Sequence, residues 1–312
     1  MKIAFFTEGK YYGKVHVDHP NMRTDLAWIH LLDADHVYLY DFSDSIRYDL
    51  GIIIIPKGRI DIPITKLQKC CKKLTVMQEG PCNYWTDYTL HDQLQYLEIL
   101  SQVDFILCHN NSDIPYYKGL TGKNTYVMQP VMVEESIKHI QPYTKENRGG
   151  AIIGGNMCSW YNGMVSFIIA KQYSDEVWAP SMGRKISGED RLEGLKHLPY
   201  LNWRTWMESL NHYQVGVHMM PTVAAGTFSL NCAFLGLPCI GNEKVDTQWY
   251  CFRSLSVDVD NIDQAIIKIK ELKDSEYTYN SKSEEARAIY DETFHSRWFK
   301  ENMLCIFEKE NV

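Results

Sequence analysis

The sequence lacks four features, and each absence argues against a class of protein. Its nine cysteines include no C-x-x-C pair, so neither a disulfide framework nor a structural zinc site is expected. No apolar run reaches the roughly 18 residues that a membrane-spanning helix requires. Acidic residues outnumber basic ones by 39 to 32, which argues against a surface dedicated to nucleic acid. No G-x-G-x-x-G follows the first predicted strand, which disfavours a dinucleotide cofactor and with it a dehydrogenase or sugar epimerase.

Length and cysteine usage predict a cytoplasmic protein of two domains. At 312 residues the chain exceeds the roughly 250–300 residues at which single cores stop growing. The cysteines are odd in number and lie mostly inside apolar runs, which suits a reducing compartment. Met1–Thr7 is typical of a strand rather than a signal peptide, because a lysine and a Glu-Gly pair fall within the first ten residues.

Apolar runs alternate with helical patterns along the chain, which indicates parallel sheets covered by helices. Lys2–Thr7 is the first predicted strand, and Gly150–Ile153 begins a second alternating series. Between the two series, the polar stretch QPYTKENRGG is typical of a linker. We therefore predict an N-terminal Rossmann-like domain over 1–145 and a second over 146–285. A C-terminal helix is predicted over 286–312.

The stretch QVGVHMMPTVAAGTFSLNCAFLGLPCIGN, residues 214–242, predicts a strand, a loop, a helix and a further strand. Pro221 ends the first strand, and the loop after it consists of small residues. Gly236 and Pro238 then end the helix in the usual glycine-then-proline order. The open backbone N–H groups at the start of that helix suit an anion or a phosphate. A βαβ unit that only packs, without a ligand, explains this stretch equally well.

This stretch resembles the donor loop of GT-B glycosyltransferases, which often has the form E-x-x-G-x-x-x-x-E before a helix that ends with Gly-x-Pro. Gly226 and the Gly236–Pro238 turn match, whereas Val223 and Asn231 stand where the two glutamates would be. The resemblance implies two Rossmann-like domains facing a cleft, with the C-terminal helix crossing back toward the N-terminal domain. It also implies a nucleoside-diphosphate sugar as co-substrate, most commonly a UDP-sugar, and neither a metal nor a separate cofactor.

The resemblance also implies which residues bind the nucleotide sugar in the second domain. Glycines after a strand let the backbone approach a diphosphate, Arg and Lys supply positive charge, and an aromatic ring can stack on the base. Asn231 can hydrogen-bond a ribose hydroxyl. The full set of predicted binding residues is Gly154, Gly155, Asn156, Arg184, Lys185, Tyr200, Leu201, Gly226, Thr227, Phe228, Ser229 and Asn231.

A catalytic base is sought in the first domain, where a carboxylate at a strand end can deprotonate an acceptor hydroxyl. Glu79 follows the predicted strand Leu74–Gln78, and Asp87 lies in the aromatic loop beyond it. His16 and His19 flank an aspartate in the first loop and are further candidates. The H-x-D-H spacing also permits a metal site, but three ligands on one loop are a weak pattern, so no metal is predicted.

These observations predict transfer of a sugar to an acceptor hydroxyl of a glycan, a small molecule or modified DNA. The DNA alternative corresponds to phage enzymes that glycosylate hydroxymethylated bases, and the acidic composition argues against it. A non-catalytic nucleotide-binding relative is the other alternative, because both motif glutamates are replaced. The donor sugar, the base, the acceptor, the stereochemistry and the oligomeric state stay open.

Overall fold

The structure is a computed structural model that describes residues 1–10, 12–181 and 186–312. It divides into two compact units. The first comprises Met1–His19, Arg23–Val133 and Ser296–Val312, and the second comprises Pro20–Met22 and Glu134–His295. Residues 134–145, which the sequence pattern assigns to the first domain, therefore cluster with the second unit, whereas the last 17 residues cluster with the first.

The first unit contains a six-stranded parallel sheet of order β2-β1-β3-β4-β5-β6. Its strands are β1 Ile3–Thr7, β2 Asp35–Tyr38, β3 Tyr48–Ile55, β4 Cys71–Gln78, β5 Phe105–Cys108 and β6 Thr125–Val127. Its helices are α1 Thr24–Leu31, α2 Ile64–Cys70, α3 Leu90–Ser101 and α4 Asp113–Thr121, together with the C-terminal α11 Ser296–Lys309. The strands are near-continuous apolar runs because helices cover parallel sheets on both faces.

The second unit contains another six-stranded parallel sheet, of order β12-β11-β10-β7-β8-β9. Its strands are β7 Ala151–Ile153, β8 Val177–Pro180, β9 Leu195–Leu198, β10 Val215–His218, β11 Cys239–Asn242 and β12 Ser256–Val257. Its helices are α5 Gly163–Ala170, α6 Trp203–Leu210, α7 Thr227–Leu235, α8 Asp246–Cys251, α9 Ile262–Asp274 and α10 Glu276–Ile289. The two predicted Rossmann-like folds are thus confirmed as two doubly wound sheets.

Each sheet has a topological switch point, where neighbouring strands lead the chain in opposite directions across the sheet. In the first sheet it lies between β1 and β3, and in the second between β7 and β10. Open α/β sheets bind ligands outside the carboxyl ends of the strands at such points. These two positions are therefore where functional side chains are sought.

The C-terminal helical pattern is interrupted. The sequence pattern predicts one helix over 286–312, whereas α10 ends at Ile289 and a π-helical turn over Tyr290–Phe294 precedes α11. The backbone at His295 has ψ 139° and separates that turn from α11. In the first unit, Glu310 just beyond α11 accepts hydrogen bonds from Asn124 Nδ2 at 2.8 Å and Tyr126 Oη at 2.7 Å. Nowhere in residues 1–10, 12–181 and 186–312 is a helix both long and apolar enough to cross a membrane.

Arg148 is a buried cation that holds the C-terminal end of α7. Its guanidinium donates to the carbonyls of Leu235 at 2.5 Å and Gly236 at 3.0 Å, and to Asn211 Oδ1 at 3.3 Å. The last carbonyls of a helix have no intrahelical partner and carry partial negative charge. Arg148 is only 6% exposed, so these contacts replace water at its two terminal nitrogens, whereas its Nε is buried without a partner in the described chain.

We expect Arg148→Met to lower the free energy of unfolding of the second unit by about 2–4 kcal/mol. The variant keeps the buried stem but leaves the helix carbonyls without their charged donor. The shift of the urea midpoint measures the effect. Arg191→Met, at an exposed arginine, is the matched control and should stay within about 0.5 kcal/mol of the wild type. Equal midpoints for the two variants would refute this role of Arg148.

Candidate functional site

A pair of glycines lies at the switch point of the second sheet. Gly154 and Gly155 follow β7, and a Cβ atom on Gly154 would come within 2.5 Å of the His218 ring at the end of β10. A Cβ on Gly155 would meet the Tyr161 ring at the same distance. Any larger residue must therefore displace an aromatic ring. The two rings thus pack directly on the glycine backbone, an approach that only residues without a side chain allow.

The loop before α7 fixes the backbone conformation at the N-terminus of that helix. Gly226 has φ +70°, and a Cβ there would lie 2.1 Å from Thr247 Oγ1, so only glycine fits. The Gly226 carbonyl accepts hydrogen bonds from Ser229 Oγ at 3.0 Å and Thr247 Oγ1 at 2.8 Å. The N-cap residue Gly226 makes no side-chain cap, so the first backbone N–H groups and the helix dipole are suited to an anion. Thr227 and Phe228 are the first two residues of the helix.

The two asparagines of the predicted donor site are buried. Asn231 is 2% exposed, and its Oδ1 has no hydrogen-bond partner within the described part of the chain. It lies four residues after Thr227, on the same side of α7. Asn156 is 1% exposed; its Oδ1 accepts from the Cys158 N–H at 3.0 Å and its Nδ2 donates to the Ser181 carbonyl at 3.4 Å. Asn156 therefore shapes the loop after the glycine pair.

The remaining predicted donor residues lie farther from the switch point or outside the described residues. Tyr200 follows β9, the outermost strand, and is 76% exposed, whereas Leu201 beside it is half-buried. Arg184 and Lys185 fall in the stretch 182–185, outside the residues that the structure describes.

A recess opens between the carboxyl ends of β10 and β11 and the start of α7. It is small, with a cavity volume of about 20 Å³, and is partly open to solvent. Its lining residues are His218, Met220, Thr222, Ala224, Gly226, Ser229, Asn242, Val245 and Gln248. Burial lowers the pKa of His218 to about 4, so its imidazole is neutral near pH 7. The Nε2 atom of that imidazole is buried without a hydrogen-bond partner in the described chain.

In the first unit, Glu79 follows β4 on the carboxyl edge of the sheet. Its side chain is exposed, yet desolvation by the surrounding loops raises its pKa, and the nearby carboxylate of Glu8 adds to the rise. The backbone N–H of Lys57 and its ammonium group act in the opposite direction. A carboxylate with a raised pKa is a better proton acceptor than an ordinary one.

The other predicted catalytic residues lie on exposed loops of the first unit. Asp87 is exposed and ends a 3-10 turn over Tyr84–Asp87. His16 Nδ1 lies 3.1 Å from Asp18 Oδ2, and both side chains are more than three-quarters exposed. His19 is half-buried and acts electrostatically on His36. Among the residues that the structure describes, no three His, Cys, Asp or Glu side chains form a group that could hold a metal ion.

The sequence analysis missed His109, which follows β5. It is 8% exposed, its ring stacks on Trp28 with centroids 6.0 Å apart, and its Nδ1 has no hydrogen-bond partner in the described chain. A histidine directly after the buried run FILC is the signal that marks it, since strand ends of parallel sheets carry functional groups.

The structure thus groups the predicted residues in two places. Gly154, Gly155 and the Gly226–Ser229 segment gather around His218 in the second unit, and Glu79 lies beside Glu8 in the first. His16 pairs with Asp18, its neighbour on the same loop.

Comparison with known proteins supports the fold. No protein-family profile matches the sequence, and no curated protein is recognisably similar to it in sequence. HepE from Anabaena, solved with UDP, aligns with a TM-score of 0.68 at 9% identity, over 99% of this chain and 100% of that one. Sucrose-phosphate synthase from Thermosynechococcus elongatus aligns with a TM-score of 0.70 at 8% identity, over 99% of each chain.

A further solved structure of the same fold contains DNA. It is an alpha-glucosyltransferase in complex with UDP and a 13-mer DNA that contains an HMU base. It aligns with a TM-score of 0.64 at 12% identity, over 98% of each chain. The chain therefore has the GT-B fold that the sequence motifs predict.

We expect the stability of the first unit to depend on His109 below pH 6.5. Burial lowers the pKa of His109 to about 4, against about 6.5 in an unfolded chain. Between these pH values the unfolded chain binds a proton that the folded chain does not. The free energy of unfolding is therefore highest above pH 6.5 and falls as the pH drops toward 4. The loss amounts to at most about 3 kcal/mol.

Urea unfolding at pH 7, 5.5 and 4 measures this dependence. His109→Phe keeps a ring against Trp28 and should lose less stability on acidification than the wild type. His91→Phe, at an exposed histidine, should follow the wild type. The same pH dependence in all three proteins would contradict a buried neutral His109.

Proposed function

We propose that the protein is a glycosyltransferase that moves a sugar from a nucleoside-diphosphate sugar to an acceptor hydroxyl. The observation that carries the proposal is the switch point of the second sheet. There, the glycine pair after β7 lies beside strand β10, which leads to the N-terminus of α7. A glycine-rich strand end and a free helix N-terminus together form a binding site for a diphosphate.

In this proposal the diphosphate accepts hydrogen bonds from the Gly155 N–H and from the first turn of α7, beside Gly154, whose own N–H donates to the Val217 carbonyl at 2.9 Å. Thr227, Phe228 and Ser229 contribute those N–H groups, and the Ser229 hydroxyl holds the loop through Gly226. Arg184 and Lys185, which follow β8, supply positive charge. Two of the solved proteins of this fold that are described above were solved with UDP, which supports a nucleotide as ligand.

The nucleoside is held by residues on α7 and after β9 in this proposal. Asn231 Oδ1 accepts a hydrogen bond from a ribose hydroxyl, which satisfies a buried atom that otherwise lacks a partner. The exposed ring of Tyr200 stacks on the base, and the backbone of Leu201 contacts its edge. Asn156 keeps the glycine loop in place. UDP is the first nucleotide to test.

The acceptor binds to the first domain, residues 1–145, and Glu79 removes the proton from its hydroxyl. Its raised pKa supports this role. Asp87, His16 and His19 are alternative bases on the same domain. We propose further that the reaction needs no metal and takes place in the cytoplasm, and that the C-terminal helix packs toward the N-terminal domain.

DNA with a modified base is the second candidate acceptor. The observation in its favour is the likeness of fold, along nearly the whole chain, to an enzyme solved with a DNA 13-mer. The net charge of −7 opposes it, because phosphate contacts dominate DNA affinity. A glycan or small-molecule acceptor is therefore the main proposal.

We expect one nucleoside diphosphate to stabilise the protein without added metal. At 100 times its Kd, a ligand that binds only the folded state adds about 2.7 kcal/mol, which a thermal-shift assay detects as a rise in Tm. The screen compares UDP, GDP, ADP and CMP and their sugars, with and without EDTA. If none of them raises Tm, the donor site is wrong and a transferase is excluded.

We expect Glu79→Gln to lower kcat by about 10²–10⁴-fold while the nucleotide-dependent Tm shift is unchanged. The wild-type rate should fall as the pH drops through the raised pKa of Glu79, because the protonated acid cannot accept the acceptor proton. Released nucleoside diphosphate measures turnover. Asp87→Asn is the matched control; if it abolishes turnover and Glu79→Gln does not, the base is Asp87.

A further inference from the structure

We infer that the recess beside α7 is a subsite for a hydroxyl group of the donor sugar, bound by Gln248 and His218. This inference rests on the proposed function and adds to it which residues recognise the sugar. The glutamates of the GT-B donor motif are replaced here by Val223 and Asn231. Recognition of the sugar must therefore come from other side chains.

Gln248 supplies a buried acceptor in the recess. It is 2% exposed and lines the recess from helix α8. Its Nε2 donates to the Cys239 carbonyl at 2.9 Å, which fixes the amide, while its Oε1 has no hydrogen-bond partner within the described residues. A buried acceptor without a partner destabilises a protein unless a ligand or a water donates to it.

His218 supplies the second polar atom. It lines the recess from the end of β10, and the ring is fixed by edge contact with Phe228, with centroids 5.3 Å apart. Its buried Nε2 also has no partner in the described chain. The imidazole is neutral near pH 7. Its Nε2 atom is therefore suited to one neutral hydrogen bond with a ligand.

The other polar side chains of the recess are already engaged, and among them Thr222 Oγ1 donates to the Trp160 carbonyl at 3.5 Å. Asn242 Nδ2 donates to the Met220 carbonyl at 2.9 Å, and its Oδ1 accepts from the Lys244 N–H at 2.9 Å. The Ser229 hydroxyl is bonded to the Gly226 carbonyl at 3.0 Å. Gln248 and His218 thus line the recess and each have a buried atom without a hydrogen-bond partner in the described chain.

The chemistry of these two atoms selects a hydroxyl. A carboxylate or phosphate oxygen cannot donate to Gln248 Oε1 and would be repelled by it, and an apolar group would leave both atoms unsatisfied. A hydroxyl donates its one proton to Oε1 and accepts from His218 Nε2 in the tautomer that carries the proton there. Placement agrees with this, because Gly226 and Ser229 line the recess and also form the start of α7. A sugar attached to a diphosphate at that helix start lies next to the recess.

The test compares affinity for the nucleotide with affinity for the nucleotide sugar. Gln248→Met keeps the length of the side chain and removes Oε1, and His218→Phe keeps the ring and removes Nε2. Titration calorimetry gives Kd for UDP and for whichever of UDP-glucose, UDP-galactose, UDP-N-acetylglucosamine and UDP-xylose binds the wild type most tightly. We expect each variant to bind that sugar nucleotide about tenfold more weakly and UDP within twofold of the wild type. Gln264→Met, at an exposed glutamine, should change neither Kd.

Monodeoxy derivatives of the same sugar locate the hydroxyl. One of them should bind the wild type about tenfold more weakly than the parent sugar, and should bind Gln248→Met as well as the parent does. If the variants change Kd equally for UDP and for the UDP-sugar, or change neither, the recess does not bind the sugar and holds only water. Either result would overturn this inference and leave nucleotide binding intact. If no nucleotide binds the wild type at all, the proposed function fails first, and this inference with it.

Discussion

The candidate site depends on the fixation of helix α7 at both of its ends. At the C-terminal end the buried guanidinium of Arg148 satisfies the carbonyls of Leu235 and Gly236. At the other end two hydroxyls, from Ser229 and Thr247, converge on the Gly226 carbonyl. Polar partners that hold the carbonyls leave the N–H groups of the first turn unused, and the dipole of the helix favours an anion beside them. The contacts that anchor the helix therefore also leave its first-turn N–H groups available to bind an anion.

Close packing at the β7–β10 junction makes this part of the sequence intolerant of larger residues. Gly154 leaves space for the His218 ring, which in turn packs against Phe228 on α7. The same packing removes water from the imidazole, and this loss of solvation keeps it uncharged. A steric requirement and an electrostatic one thus follow from the same contacts. A larger residue at position 154 would disturb the ring, the helix and the recess together.

Much of the fold was predictable because parallel strands are strong local patterns. The strand predicted at the start of the 214–242 stretch, for example, is observed at Val215–His218. The break between α10 and α11 was not, because helical periodicity continues through the π-helical turn and carries no sign of it. Short helix α4 was also missed, since Pro115 lies inside it and suggests a loop. Among site residues, the glycines follow from spacing. Gln248 does not, because only the pairing of β10 with β11, His218 opposite Gly241, brings it to the recess.

The replacement of both motif glutamates has an electrostatic consequence for a chain of this charge. With a net charge of −7 the protein as a whole repels a diphosphate, so attraction must come from local dipoles rather than from its overall field. Carboxylates beside the start of α7 would oppose that attraction, whereas Val223 and Asn231 do not. The neutral imidazole of His218 and the amide of Gln248 likewise add no negative charge in the adjoining recess. In such a site the sugar is selected by the geometry of neutral hydrogen bonds, and charge is reserved for the diphosphate and for the acceptor proton at Glu79.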